Sequence, residues 1–334
     1  MNILKDQNLA KYSSMGLGGD AKYLSEIKNL DDIEEAVSFA EEHDLKTIMI
    51  GGGNNLIFSD KGYDGLVMIN DIKGISDLGD NTFKVGAGED WDEFVKFTVD
   101  KNLSGIECLS KIPGKMGSAP IQNIGAYGQE IKDTLTEVEV FNTEENKVEI
   151  IKNYESEFSY RNSIFKKNIG KYLILTITVK LNTEYIKPPL YESLQKYMDE
   201  NNISDYSPAS IRRAVISVRM AKLPDPKEIK NCGSFFINPI ISEELQQEII
   251  REYPDMPNWR QENGYKISAA WLLDKCGFKD FHYDNGMATW KNQPLVVVNE
   301  HAKTTSDLLE FRDILTDSVK NKFGIELKME PVLI

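Results

Sequence analysis

Ser234 lies between a glycine and two phenylalanines in Asn231-Cys232-Gly233-Ser234-Phe235-Phe236-Ile237-Asn238-Pro239, downstream of the charged stretch Lys222-Leu223-Pro224-Asp225-Pro226-Lys227. A serine nucleophile needs an adjacent base, and His43, His282 and His301, the only histidines, stand in no context that resembles an active site. A hydroxyl that donates a proton is the better chemical reading; a Gly-Ser turn between core aromatics is the bland one. Arg161, in Phe158-Ser159-Tyr160-Arg161-Asn162-Ser163-Ile164-Phe165-Lys166, is a lone guanidinium among aromatics. Its planar fork suits a carboxylate, although a surface ion pair would use the same residue. Glu330 follows apolar residues at 325, 327 and 329 on the opposite parity, which makes it either a solvated rim carboxylate or a catalytic group facing a cleft.

Other segments are built to approach a ligand closely. In Gly51-Gly52-Gly53-Asn54-Asn55-Leu56 the glycines free backbone N–H groups to turn toward an anion, as in a diphosphate cradle, or simply close a turn after a strand. Gly86-Ala87-Gly88-Glu89-Asp90-Trp91 is no dinucleotide fingerprint: tryptophan fills the third glycine position, and the acids suit the start of a helix over 91–100 better than a pyrophosphate. Between Ile112 and Gly128, glycines and alanines alternate with Ser118, Gln122, Asn123 and Tyr127, a mixture of small faces and uncharged hydrogen bonds that suits an isoalloxazine ring. Arg212, Arg213, Arg219, Lys222 and Lys227 reverse the local field and can hold a diphosphate, or form a charged solvent face.

These groups must be positioned by a chain of 334 residues, long enough for two or three domains. A hydrophobic share of 41% with 28% charged residues is ordinary for a globular protein, and a net charge of −14 argues against nucleic acid or an anionic membrane. Cys108, Cys232 and Cys276 form no metal-type pair, so no metal site is expected and a reduced cytoplasmic setting is. The first residues lack a secretory apolar core, and no run approaches a membrane span. Periodicity predicts helices over 30–43, 91–100, 208–222, 242–253, 267–276 and 305–323, strands over 47–50, 171–181, 295–299 and 325–330, and a hairpin over 136–151.

Taken together, Gly51-Gly52-Gly53-Asn54-Asn55, Ile112-Pro113-Gly114 through Gln122-Asn123-Ile124-Gly125-Ala126-Tyr127-Gly128, Tyr160 to Lys166, Lys222 to Lys227 and Gly233-Ser234-Phe235-Phe236 resemble one family over nearly the whole chain. It is the UDP-N-acetylenolpyruvoylglucosamine reductases (MurB), in the form with a substrate-closing tyrosine loop, here carrying Tyr191. The resemblance implies an α+β, three-lobed FAD-binding fold of the MurB and vanillyl-alcohol-oxidase type, not a Rossmann fold. Its lobes would be 1–70 and 71–223 with 324–334 for FAD, and 224–323 for substrate. It implies non-covalent FAD and reduction of an enolpyruvyl UDP-amino sugar to UDP-N-acetylmuramate, with NADPH as co-substrate. By the same resemblance Arg161 and Glu330 polarise the substrate carboxylate and Ser234 supplies the proton. Gly51, Gly53, Asn54, Asn55, Ser118 and Ile174 fall at FAD positions, and Tyr127, Tyr191, Lys222, Asn238 and Gln293 at substrate positions. The expected partners are the UDP-sugar and NADPH, without nucleic acid or membrane, and the chain is expected to be a monomer.

Ser13-Ser14-Met15-Gly16, Cys232 and Lys328-Met329-Glu330-Pro331 depart from the usual family pattern. Two rival readings compete with this one. A flavin-linked alcohol or sugar oxidase would often tether its cofactor through histidine or cysteine, which residues 45–60 lack. A non-catalytic nucleotide-sugar binder would have no use for Arg161, Ser234 and Glu330 together.

Overall fold

Apolar residues three and four apart draw Leu30–Glu42 into a helix, α1, which starts where the Asn29 side chain accepts from the Asp32 N–H and buries Ile33, Ala36, Val37 and Ala40. That stripe packs with Ile27, Leu66 and Met68 on a four-stranded sheet. The strand order is Ile3–Asn8, Asp20–Ile27, Tyr63–Asn70, Lys46–Ile50, and Tyr63–Asn70 runs parallel to both of its described neighbours. The computed structural model describes residues 1–334, which divide into two compact units. This sheet belongs to the first, made of Met1–Gln7, Ala21–Gly52 and Tyr63–Met220.

A second sheet completes that unit. Its order is Lys147–Lys152, Leu135–Asn142, Tyr172–Lys180, Thr82–Gly86, Ile75–Gly79, every pair antiparallel. Helix α2, Trp91–Asp100, lays Trp91, Phe94, Val95 and Val99 against it. The Asp90 carboxylate accepts from the N–H groups of Asp92 and Glu93, so the acids after Gly86-Ala87-Gly88 do begin a helix. Three further helices follow: α3 (Ile164–Lys167), α4 (Glu192–Glu200) and α5 (Pro208–Lys222). Leu194 and Met198 of α4 meet Ile211, Ala214 and Val215 of α5 around Cys108.

The second unit comprises Asn8–Asp20, Gly53–Gly62 and Ala221–Ile334. It holds α6 (Glu243–Glu252), α7 (Ala269–Lys275) and α8 (Thr305–Phe323), the last opened by a reciprocal Thr304–Asp307 cap and closed by Gly324 at φ 67°. An antiparallel sheet runs Lys230–Ser234, Gln293–Asn299, Met287–Trp290. Its core gathers Phe235, Phe236, Leu272, Phe311 and Leu315, each worth about 1.5–3 kcal/mol of burial.

The tail departs from expectation. Ile325 and Leu327 are buried while Glu326 and Lys328 are exposed, so the alternation is real, yet no ladder forms over 325–330. Strand pairing is confined to a Phe236–Met329 bridge and to Val332–Leu333, which lies parallel to Leu56–Ile57. No helix is long and apolar enough to cross a membrane.

Candidate active site

A bulge aims Ser234. Strand Lys230–Ser234 pairs with Gln293–Asn299, but the register slips between Asn231 and Ser234, where Gly233 takes φ 76°. The Asn231 carbonyl oxygen of the side chain accepts from the Gly233 N–H at 2.9 Å, and its amide donates to the Ile229 carbonyl at 2.7 Å. Glycine is needed here for its left-handed backbone, since a Cβ would meet nothing within 4 Å. After the bulge, Phe235 and Phe236 are fully buried and anchor the segment while Ser234 stays half-buried.

The chain's tail lies along the other side of that segment. The Ile237 N–H donates to the Lys328 carbonyl at 2.9 Å and the Glu330 N–H to the Phe235 carbonyl at 3.0 Å. This antiparallel contact brings Glu330 beside the residues that follow Ser234, and it buries the carboxylate to 8% exposure. The solvated-rim reading is thereby excluded. The Cys232 thiol is pushed up from its usual range first by burial and then by the nearby Glu330 charge.

In the same unit, Gly53 (φ 62°) presses against the Tyr12 carbonyl so closely that no Cβ fits. Its carbonyl accepts from the Ser14 N–H at 3.1 Å, and the Ser14 carbonyl from the Asn231 N–H at 3.1 Å. The Ser14 hydroxyl oxygen is buried and has no protein partner. Asn55 joins the loop to the tail: its amide donates to the Glu330 carbonyl at 3.4 Å and its own carbonyl accepts from Val332 at 3.0 Å. Asn54 is half-buried next to it. Lys222 is exposed, Gln293 is half-buried opposite Trp290, and the Asn238 side-chain oxygen accepts from the Ala269 N–H at 2.9 Å.

The small-residue loop lies in the first unit. Gly51 faces Ser118, whose hydroxyl occupies the place a Cβ would need, and Gly117 packs on Ala87 in the same way. Ile174 is buried at 4% exposure, and its carbonyl accepts from the Asn70 amide at 2.8 Å. Tyr127, at φ 48°, meets Tyr191 edge to face with ring centroids 5.9 Å apart. Burial raises the Tyr127 hydroxyl pKa against the lowering effect of Arg219. Arg161 sits at φ 56°, its guanidinium 5.4 Å from the Tyr160 ring centre and donating to the Gly125 carbonyl at 3.1 Å.

The basic cluster separates by environment. Arg212 is held by Asp92, Arg213 and Lys227 are exposed, and Arg219 turns inward with a buried Nε that has no partner. Burial pulls the Arg219 guanidinium down from the usual arginine range, opposed by Tyr127 and Asp92. Asn123 corrects an expectation: it does not line a ligand face but is fully buried, with its side chain engaged by the protein itself. Sequence reading passed over Ser14 as a mere departure from pattern. Its signal was a small hydroxyl in a Ser-Ser-Met-Gly segment with no helix or strand to serve.

Each unit by itself carries a feature that fits FAD: in the second, the orphaned buried Ser14 hydroxyl beside the Gly53 loop, and in the first, the small-residue loop at Gly117 and Ser118 next to Gly51. Residues 21–150 match the model of an FAD binding domain, and residues 225–334 that of the UDP-N-acetylenolpyruvoylglucosamine reductase C-terminal domain. The UDP-N-acetylenolpyruvoylglucosamine reductase of Photobacterium profundum is 35% identical, covering 99% of this chain and 95% of that protein. The same-named protein of Aliivibrio fischeri is 36% identical over 99% and 94%. The crystal structure of the Thermus caldophilus reductase superposes with a TM-score of 0.67 at 22% identity, covering 99% of this chain and 98% of that one. The fold is thus the α+β FAD-binding fold expected, and the chain belongs to the UDP-N-acetylenolpyruvoylglucosamine reductase family.

Proposed function

We infer that Arg161, Ser234 and Glu330 carry the chemistry of a reaction fixed by family membership: the FAD-dependent reduction of UDP-N-acetylglucosamine enolpyruvate to UDP-N-acetylmuramate, in peptidoglycan precursor synthesis, with NADPH as electron source. Bound FAD supplies the two-electron relay between NADPH and the enolpyruvyl double bond. Gly51, Gly53, Asn54, Asn55, Ser118 and Ile174 hold it, with the Ser14 hydroxyl as an added donor.

The chain's own work is polar. Arg161 offers two parallel donors to the enolpyruvyl carboxylate and stabilises the charge that collects there as the double bond is reduced. Glu330 hydrogen-bonds the same group. Ser234 gives its proton to the carbon bearing the ether oxygen, and the buried aromatics behind it keep water from competing. Tyr127, Tyr191, Lys222, Asn238 and Gln293 take the nucleotide and sugar, with lobes 1–70 and 71–223 plus 324–334 on FAD and 224–323 on the sugar. The observation that carries the reading is the bulge at Gly233, which leaves Ser234 half-buried between the buried pair Asn231 and Cys232 and the buried pair Phe235 and Phe236.

Both substrates are nucleotides of the cell interior, and we place the chain in the cytoplasm as a monomer acting without nucleic acid. The test is spectroscopic. Purified protein should be yellow and lose its colour with NADPH. Colour should return anaerobically only when the enolpyruvyl sugar is added, and colourless protein that cannot take up FAD would overturn the reading.

A further inference from the structure

Asn123 has 0% exposure and a left-handed backbone at φ 47°. Its side chain spans three segments of the first unit. The amide donates to Glu130 Oε2 at 2.8 Å and to the Ser159 carbonyl at 3.3 Å, and the carbonyl oxygen accepts from the Lys132 N–H at 3.2 Å.

Ser159 begins the turn that bears Arg161. Ser159 and Asn162 exchange backbone hydrogen bonds in both directions at 3.1 Å, which leaves Tyr160 and Arg161 at the tip. The turn is fastened to the chain on either side of Asn123: the Ser163 hydroxyl donates to the Ile121 carbonyl at 2.6 Å, and Arg161 Nη2 to the Gly125 carbonyl at 3.1 Å. Lys166 Nζ donates to the Arg161 carbonyl at 3.2 Å. A side chain at Gly125 would crowd this junction, because an added Cβ would fall 2.9 Å from Glu130 Cγ and 3.2 Å from the Gln129 carbonyl oxygen.

We propose that Asn123 is the positioning residue for Arg161, locking the arginine turn and the small-residue loop into one plate. The inference rests on the reading of Arg161 as the carboxylate clamp. The amide type matters, because two of its contacts need a donor and the third an acceptor, and asparagine also tolerates the left-handed backbone.

Asn123→Asp keeps the size, the backbone tolerance and the acceptor, but sets an acceptor against Glu130 and the Ser159 carbonyl. Rapid-mixing absorbance of the FAD-loaded protein separates bleaching by NADPH from recolouring by the enolpyruvyl sugar, in both wild-type and Arg161→Ala backgrounds. In the wild-type background Asn123→Asp should slow recolouring by about tenfold or more, as expected for a misplaced clamp, and slow bleaching far less. In the Arg161→Ala background it should change recolouring by less than about twofold, because the two residues act as a unit. Equal slowing in both backgrounds would show that Asn123 does not act through Arg161 and would overturn the proposal. If Arg161→Ala alone left recolouring intact, the clamp assignment itself would fall, a distinguishable result.

The double variant Asn123→Asp with Glu130→Gln restores a donor facing position 123 and guards against misfolding. It should recover FAD content and melting temperature while recolouring stays slow, because the Ser159 carbonyl still lacks its donor. Full recovery of recolouring would overturn the proposal.

Discussion

Arg212 grips Asp92 with both arms of its fork, Nη1 donating to Oδ1 at 2.6 Å and Nη2 to Oδ2 at 3.0 Å, and so ties α5 to the first turn of α2. The Lys111 N–H also donates to Asp92, at 2.5 Å. Burial works to raise the Asp92 pKa, but the Arg212 and Lys111 hydrogen bonds prevail and the net shift is downward. A depressed folded-state pKa gives stability that is fully present above the ordinary aspartate value of about 3.9 and is lost as pH falls through the lower folded value. Arg212→Ala should therefore cost about 1.5–3 kcal/mol at neutral pH, with the gap to wild type narrowing below about pH 4. Urea unfolding at several pH values measures it, and a gap that stays constant into acid would mean the clasp is not electrostatic.

Ser234→Ala separates the two halves of the turnover. Bleaching by NADPH should persist, whereas recolouring by the enolpyruvyl sugar should slow by roughly 10²–10⁴, the range for loss of a general acid. Equal impairment of both halves would remove Ser234 from its assigned role.

Gly51 and Gly53 differ in what surrounds them, and alanine should discriminate. At Gly51 the obstruction is the Ser118 hydroxyl, a side-chain end that can swing away, so Gly51→Ala should fold near wild-type stability but retain FAD poorly. At Gly53 the obstruction is the Tyr12 carbonyl of the backbone, and φ is 62°. Gly53→Ala should lose stability outright, with about 1–2 kcal/mol from the left-handed backbone alone. Melting curves and the flavin-to-protein absorbance ratio check both, and identical behaviour of the two variants would contradict the distinction.

Tyr191 is half exposed and rests edge-on against Tyr127. An aromatic pair of this kind is worth about 0.5–1.5 kcal/mol, so Tyr191→Ala should weaken enolpyruvyl-sugar binding by roughly 2- to 13-fold through the lost ring contact. Tyr191→Phe keeps that contact, and titration of flavin absorbance should find it closer to wild type. If phenylalanine proves as damaging as alanine, the hydroxyl is the operative group.

Periodicity made much of the fold legible, and the helices it predicts begin at capping side chains. Asn29, Asp90, Ser242, Ser268 and Thr304 each accept backbone N–H groups where a helix begins. The hairpin expected over 136–151 forms between Leu135–Asn142 and Lys147–Lys152. The strand expected over 325–330 does not form, because alternating burial records which side a residue faces, whereas a strand also needs a neighbour along its whole length. Asn123 was misassigned for a related reason: composition shows that an amide is present but not whether the protein has already used its hydrogen bonds.

Residue order alone determined the reactive groups, the glycines that let backbone approach a ligand, and the family to which the chain belongs, because each is a local or linear property. Tertiary structure decided that Glu330 is buried beside the Ser234 segment, that Arg212 is committed to Asp92 while Arg219 turns inward, and that Asn123 braces the Arg161 turn. Those outcomes depend on partners 36 to 120 positions away. Burial and hydrogen bonding at such range follow from packing, which local patterns do not encode.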